Sequence, residues 1–299
     1  MLCGSYLRDI SSRKRFLQRV LVMKQQEQII KEKTKKERMQ KDFLHSILPP
    51  SLVDSLKEVQ VDFQRSRSRK TSATSLGRVQ ALSKRHKGVC VLYADLVGFT
   101  AFSAQVDPFK VMSFLNDLFA MFDGLCDDFN VYKIETVGDC YVASVGVVTG
   151  KQVSSSAPPS TDTSKDLLGL ERTLTLFHRP SVVKNASSLN ATDLVEFAKA
   201  MIWGSRRVMK PEVGAPATLR VGLHTGTCIS GIIGTRNLKF SLLGDDITTA
   251  ALMEKTGIPD HIHASEDIAE LVPGEAWQKC KVVETDDDER SIQTHLLKV

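Results

Sequence analysis

The chain is 299 residues long, 42% hydrophobic, 25% charged and 6% aromatic, with a formal net charge of +5. That composition excludes a wholly disordered, collagenous or disulfide-scaffold protein. No run approaches the roughly 20 consecutive apolar residues of a spanning helix, and no apolar signal-peptide core opens the chain.

Charge is unevenly spread. Residues 1–87 hold 21 Lys and Arg against 8 Asp and Glu, or +13, and the remainder holds 19 against 27, or −8. A basic arm on an acidic body implies an anionic partner surface, lipid or nucleic acid, with a solvated helical face as the plain alternative. Residues 12–48 predict one long helix, since no Gly or Pro interrupts them and Lys, Arg, Gln and Glu dominate. Its apolar positions, Phe16, Val20, Met23, Ile30, Phe43 and Ile47, are too sparse for a buried face and suit an intermittent coiled-coil seam. In residues 49–87, Pro49-Pro50 precedes a short helix and then a basic, Ser-rich linker, where Thr71, Ser72 and Ser75 follow basic residues as kinase sites do.

Residues 88–299 have the texture of a folded domain. "GVCVLYADLVGF" reads as a buried strand running into a turn. "DPFKVMSFLNDLFAMFDGLCDDF" follows as a helix, with Phe109, Met112, Leu115, Leu118, Phe119 and Phe122 at helical spacing. "VYKIETVG" and "CYVASVGVV" read as a hairpin turning at Gly138-Asp139. Residues 149–193 are rich in Ser, Thr and Pro and predict an inserted surface loop. "DLVEFAKAMIWGSRRVM" is a second helix, and "TLRVGLHTGTCISGIIG", "KFSLLGD" and the helix "DITTAALMEKTG" continue the alternation. The order strand-helix-strand-strand-helix-strand predicts an α+β domain of the split βαβ, ferredoxin-like type. The six cysteines, Cys3, Cys90, Cys126, Cys140, Cys228 and Cys280, form no C-x-x-C pair and have no histidine at zinc spacing, which suits a reducing compartment. The sequons at Asn185 and Asn190 then carry no weight.

Chemistry concentrates in the sheet. Asp95 ends the first strand and Asp139 sits in the hairpin turn, so in a split βαβ sheet the two carboxylates converge. Such a pair is a hard oxygen donor set for Mg²⁺ or Mn²⁺. The "LVGFT" turn after Asp95 leads into a helix and offers backbone N–H groups to phosphate. Arg220 on a later strand adds a cation. Singly, each has a plain reading as a turn former, a helix cap or a surface charge; together they favour a metal-phosphate site without naming a reaction.

The segments "YADLVGFTAFS", "VYKIETVGDCYVAS", "LRVGLHTGTCISGIIG" and "FSLLGDDITTAALMEKTG" resemble, in this order, the catalytic domain of class III nucleotidyl cyclases, over about residues 88–270. "HSILPPSLVDSLK" is similar to the helix and Pro turn that precede that domain. The resemblance implies a dimeric enzyme with sites at the dimer interface. It implies two metal ions, Mg²⁺ or Mn²⁺, held by Asp95, Asp139 and the Leu96 carbonyl. It also implies backbone N–H groups of Val97, Gly98, Phe99 and Thr100 on phosphate, and Arg220 on the triphosphate of GTP or ATP.

Two departures matter. The family's transition-state Asn and Arg are replaced by Thr248 and Leu252, and leucine donates no hydrogen bond. Intact carboxylates with a lost Asn and Arg resemble the metal-binding half of two-repeat or heterodimeric cyclases, whose complementary half supplies the missing groups. Glu135 and Ser241 fall at the purine positions, where Glu favours GTP and cGMP over ATP and cAMP. In a metal-binding half, however, both face the pseudo-symmetric site. The resemblance places the domain at the cytoplasmic face of a membrane, with the basic arm against the anionic leaflet. A degenerate domain that only dimerises is the competing reading, which the retained carboxylates oppose. Nucleic acid is not expected as a partner, because the strands lack the aromatic richness of RNA-binding sheets.

Overall fold

The computed structural model of the chain describes residues 22–39, 41, 83–147, 186–233, 239–285 and 290–299. The chain divides into two compact units, Met1–Asp54 and Ser55–Val299. In the first, residues 22–39 are helical and exposed, Met23 and Ile30 included. Glu27 pairs with Lys31 at 2.9 Å, one turn along, an interaction worth about 0.3–0.5 kcal/mol at a surface. The ends of the predicted 12–48 helix, the Pro turn, the short helix and the linker residues Thr71, Ser72 and Ser75 lie outside the described residues. Among the described residues no helix is long and apolar enough to cross a membrane.

The second unit runs β1 (Lys84–Leu96), α1 (Phe99–Ser103), α2 (Pro108–Asp128), β2 (Tyr132–Val137), β3 (Cys140–Val145), α3 (Ala186–Ser205), β4 (Leu219–Ile233), β5 (Lys239–Leu243), α4 (Asp245–Lys255), β6 (His261–Ser265), α5 (Glu266–Leu271), β7 (Gln278–Glu284) and β8 (Ser291–Lys298). The sheet order is β2-β3-β1-β4-β6-β8-β7, with β5 paired to β4. β1 lies antiparallel between β3 and β4, which is the expected split βαβ arrangement. β6 then adds to β4 in parallel, and β8 and β7 follow antiparallel.

Period-two alternation divides β1 and β4 between two layers. Cys90, Leu92, Ala94 and Leu96, with Leu219, Val221 and Leu223, face the core built with α2 and α3. The residues between them, Asp95, Arg220, Gly222 and His224 among them, face α4, whose Met253, Glu254 and Asp246 they meet. α2 begins with Asp107 accepting from the Phe109 N–H at 2.9 Å and Pro108 in the first turn, an N-cap and N1 proline in their preferred places. Tyr141 on β3 donates to Asp123 of α2 at 2.7 Å, and Lys133 pairs with the same carboxylate at 2.8 Å, tying the hairpin to the helix.

Three expectations are corrected. β1 starts at Lys84, inside the segment read as linker: its charged side chains project outward while its backbone pairs with the far end of β4, Lys84 opposite Ser230. A basic composition hid a strand whose partner lies far along the chain. α3 starts at Ala186, inside the expected insert, and buries Ala191, Thr192 and Asp193; it ends at Ser205, so Arg206 to Met209 lie beyond it. The buried face of α2 is Val111, Phe114, Leu118, Met121, Phe122 and Leu125, whereas Phe109 and Met112 are 85% and 66% exposed. Both sets have helical spacing, and only the angle at which α2 meets α3 and the sheet selects between them.

Candidate active site

Asp95 is the penultimate residue of β1, on the face that α4 covers. The β1–β3 register sets Ala94 opposite Tyr141, which carries the next turn, Gly138-Asp139, to the end of β1. That turn is a two-residue connection between the paired Val137 and Cys140, and Gly138 takes φ +64°, which favours glycine. The Asp139 carboxyl lies close to the Asp95 carboxyl and to the Leu96 backbone. Partial burial, followed by the Asp95 charge, pushes Asp139 up to about 6, as two carboxylates sharing a site do.

Arg220 stands directly opposite Asp95 in the β1–β4 ladder. Its Nη2 donates to Asp95 Oδ2 at 2.8 Å, and its Nε donates to Glu254 Oε1 at 2.9 Å. Burial raises the Glu254 carboxyl against the pull of Arg220, and the charges of Asp95 and Asp139 add to the rise. Gly222, two residues beyond Arg220, lets the α4 backbone come this near: a Cβ there would stand 2.0 Å from the Glu254 nitrogen. Sequence reasoning missed Glu254, which looks like any helical glutamate. The available signal was the glycine inside an apolar strand, which marks close approach of another backbone. Among the described residues no cluster of three or more His, Cys, Asp or Glu could hold a metal. Glu254 is linked to the carboxylate pair through Arg220.

The turn after Asp95 divides in use. The Val97 N–H donates to the Thr218 carbonyl at 2.9 Å, and its carbonyl accepts from Lys210 Nζ at 2.9 Å. The β1–β4 ladder claims that amide, so it is not available to phosphate in this conformation. Gly98 takes φ +72° with open space where a Cβ would be. Phe99 and Thr100 open α1, where helix geometry leaves N–H groups without intrahelical acceptors.

The purine-position residues lie on β2 and β5, which are not paired with each other in the sheet and meet through their side chains. Glu135 on β2 pairs with Lys239 on β5, and Tyr132 meets Phe240 edge to face at 5.9 Å. Ser241, two residues beyond Lys239, is buried. Thr248 is exposed on α4, and Leu252, one turn on, is half-buried.

A split βαβ sheet whose first strand and first hairpin bring two aspartates together, with an arginine opposite, is the architecture of a nucleotidyl cyclase catalytic domain. The chain belongs to the adenylate and guanylate cyclase catalytic domain family, whose sequence profile matches residues 81–295. The receptor-type guanylate cyclase gcy-28 of Caenorhabditis elegans is 30% identical over 263 residues, 88% of this chain and 16% of the relative. Guanylate cyclase D of Mus musculus is 28% identical over 255 residues, 84% of this chain and 18% of the relative. This chain thus spans less than a fifth of the length of these curated relatives. The guanylate cyclase domain of RhGC from Catenaria anguillulae, solved in complex with GTP, superposes with a TM-score of 0.56 at 25% identity, covering 72% of this chain and 98% of that one. The adenylyl cyclase CyaB from P. aeruginosa, at 18% identity, shares the fold with a TM-score of 0.54, covering 73% and 96%.

Proposed function

We propose that this chain is the metal-binding half of a purine nucleotide cyclase, which forms a 3′,5′-cyclic nucleotide and pyrophosphate together with a complementary half. The observation that carries the reading is the meeting of Asp95 and Asp139 across the β1–β3 ladder. The donor set fits Mg²⁺ or Mn²⁺. It consists of hard oxygens, and Asp139 adds a further carboxyl beside Asp95, whose charge together with Glu254 is met by one guanidinium, an excess of negative charge that a divalent ion relieves. Asp95, Asp139 and the Leu96 carbonyl would hold two ions, which would supply Lewis-acid activation of the ribose 3′-hydroxyl and neutralise the leaving pyrophosphate. Arg220 offers Nη2 to the polyphosphate in exchange for Asp95, in a planar fork that lysine lacks. The Phe99 and Thr100 N–H groups flank the same anion, and Gly98 leaves the approach open.

The half-site reading follows from α4. Thr248 and Leu252 stand on one face of the helix, and neither supplies the charged donor that the family's pattern places there. GTP is the favoured substrate, because the relatives named above are guanylate cyclases; Glu135, which in a metal-binding half faces the pseudo-symmetric site, agrees with that ancestry without touching the substrate. Membership of receptors among those relatives, with the basic arm, supports a place at the cytoplasmic face of a membrane.

A cyclase assay with Mn²⁺ and GTP or ATP tests this, using the chain alone and mixed with a homologous domain that retains the Asn and Arg. Losing one transition-state donor costs about 10²–10³ in rate. The chain alone should therefore run at least about 10²-fold below the mixture. Equal turnover by the chain alone would overturn the half-site assignment.

A further inference from the structure

We infer that Glu254 is a positioning residue that anchors Arg220 and so sets how strongly the guanidinium competes with a divalent ion for Asp95. The inference rests on the metal reading of Asp95 and Asp139 and deepens it. Arg220 is held from two sides: Nη2 on Asp95 at 2.8 Å and both Nε and Nη2 on Glu254 Oε1 at 2.9 Å. In the metal reading Asp95 is the ligand, while Glu254 Oε1 is occupied by both Nε and Nη2 of Arg220. The guanidinium is thus shared between a carboxylate that must be released and one that can keep it.

The two carboxylates differ in what holds them. Asp95 sits at the end of an edge-free central strand, beside the exposed turn of Gly138. Glu254 is fixed by the helix backbone itself, which approaches β4 so closely that only glycine fits at position 222. Glu254 is also the more shielded of Arg220's partners, 13% exposed against 22% for Asp95, so its ion pair is less screened by solvent. When an ion takes Asp95, Nη2 loses one acceptor while the Glu254 bond keeps the guanidinium beside the site, aimed at whatever phosphate accompanies the ion. Without Glu254, Asp95 becomes the sole partner of Arg220 among the described residues, and the ion must displace the whole cation.

Mn²⁺ titration of the full chain, read by the electron paramagnetic resonance of free Mn²⁺, tests this without turnover. Glu254→Gln should weaken Mn²⁺ binding about tenfold when Arg220 is present, and about twofold or less in an Arg220→Ala background. Coupling of that size is ordinary for residues in one ion-pair network. Glu254→Asp keeps the charge but withdraws the carboxylate by one methylene, and should weaken binding in the same Arg220-dependent way. An equal effect of Glu254→Gln in both backgrounds, or wild-type affinity in Glu254→Asp, means that Glu254 acts as bulk charge and overturns the inference alone. Mn²⁺ binding that survives Asp95→Asn together with Asp139→Asn overturns the metal reading itself.

Discussion

Asp139 pays for its position whenever it is ionised and no cation is near. Its carboxyl titrates at about 6 in the folded chain against an ordinary 3.8, because burial and the Asp95 charge disfavour the anion. Between those two values the folded state holds more protons than the unfolded state. Stability therefore falls as pH rises from about 4 through about 6 and stays reduced above. In metal-free buffer at pH 7.5, Asp139→Asn should raise the denaturant midpoint above wild type, and the difference should vanish near pH 4. The same variant should lose the Mn²⁺-induced stabilisation, which for wild type reaches about 2.7 kcal/mol at a hundredfold excess over Kd. A variant that is less stable than wild type at both pH values would show that the carboxylate is not strained. Asp95 and Asp139 were legible in the sequence because strand-end aspartates beside Gly-containing turns stand out locally. Glu254 was not, because what distinguishes it is a register across 34 residues, with Arg220 as its partner. The hydrogen bond of the Val97 N–H was hidden for a similar reason: its acceptor, Thr218, is remote in the chain.

Elements follow the same rule. The hairpin, α2 and α4 were readable from local periodicity and turn chemistry, while the start of β1 was hidden until its partner on β4 was known. For α2, burial separates two sets of apolar residues that the period alone does not. Leu118→Ala should cost about 2–5 kcal/mol, the usual range for a buried leucine. Phe109→Ser and Met112→Ser, at exposed positions, should stay within about 0.5 kcal/mol of wild type. Urea midpoints measure both, and a large loss at Phe109 would mean that α2 is rotated from the face described. At the β4–α4 contact, Gly222→Ala places a Cβ against backbone and not against a flexible side chain. Overpacking of that kind costs about 1–3 kcal/mol or more. Since α4 must move away, Mn²⁺ affinity should fall with stability; an unchanged midpoint would show that helix and strand are less close than 2.0 Å from a Cβ implies.

At the scale of the whole molecule, charge is the feature that composition alone reveals. The +13 of residues 1–87 faces −8 in the rest, and each basic residue that reaches an anionic leaflet contributes about 1 kcal/mol. The chain should co-sediment with phosphatidylserine vesicles at low salt and release as salt shortens the Debye length to about 8 Å or less. Deleting residues 1–82 should abolish the binding. Retention by the truncated chain would place the lipid-binding surface in the domain. Most of the sheet's first four strands was readable, since their order follows a simple motif. The additions beyond α4 were not, because β6, β7 and β8 gain their place only by pairing onto β4 and each other.

The ladder between β1 and β4 has a consequence for how the domain comes into being. Asp95 and Arg220 are neighbours in the sheet and 125 residues apart in the chain. The Asp95–Arg220 pair does not exist until β4 has been synthesised and has closed that span. Non-local pairing of this kind is slow, since the entropy of closing the loop must be overcome before contacts reward it. Yet the cost grows only logarithmically, about 0.6 kcal/mol per doubling of the span. The span between β3 and α3 can therefore lengthen or shorten at small entropic cost to the site, while the chemistry on either side stays fixed.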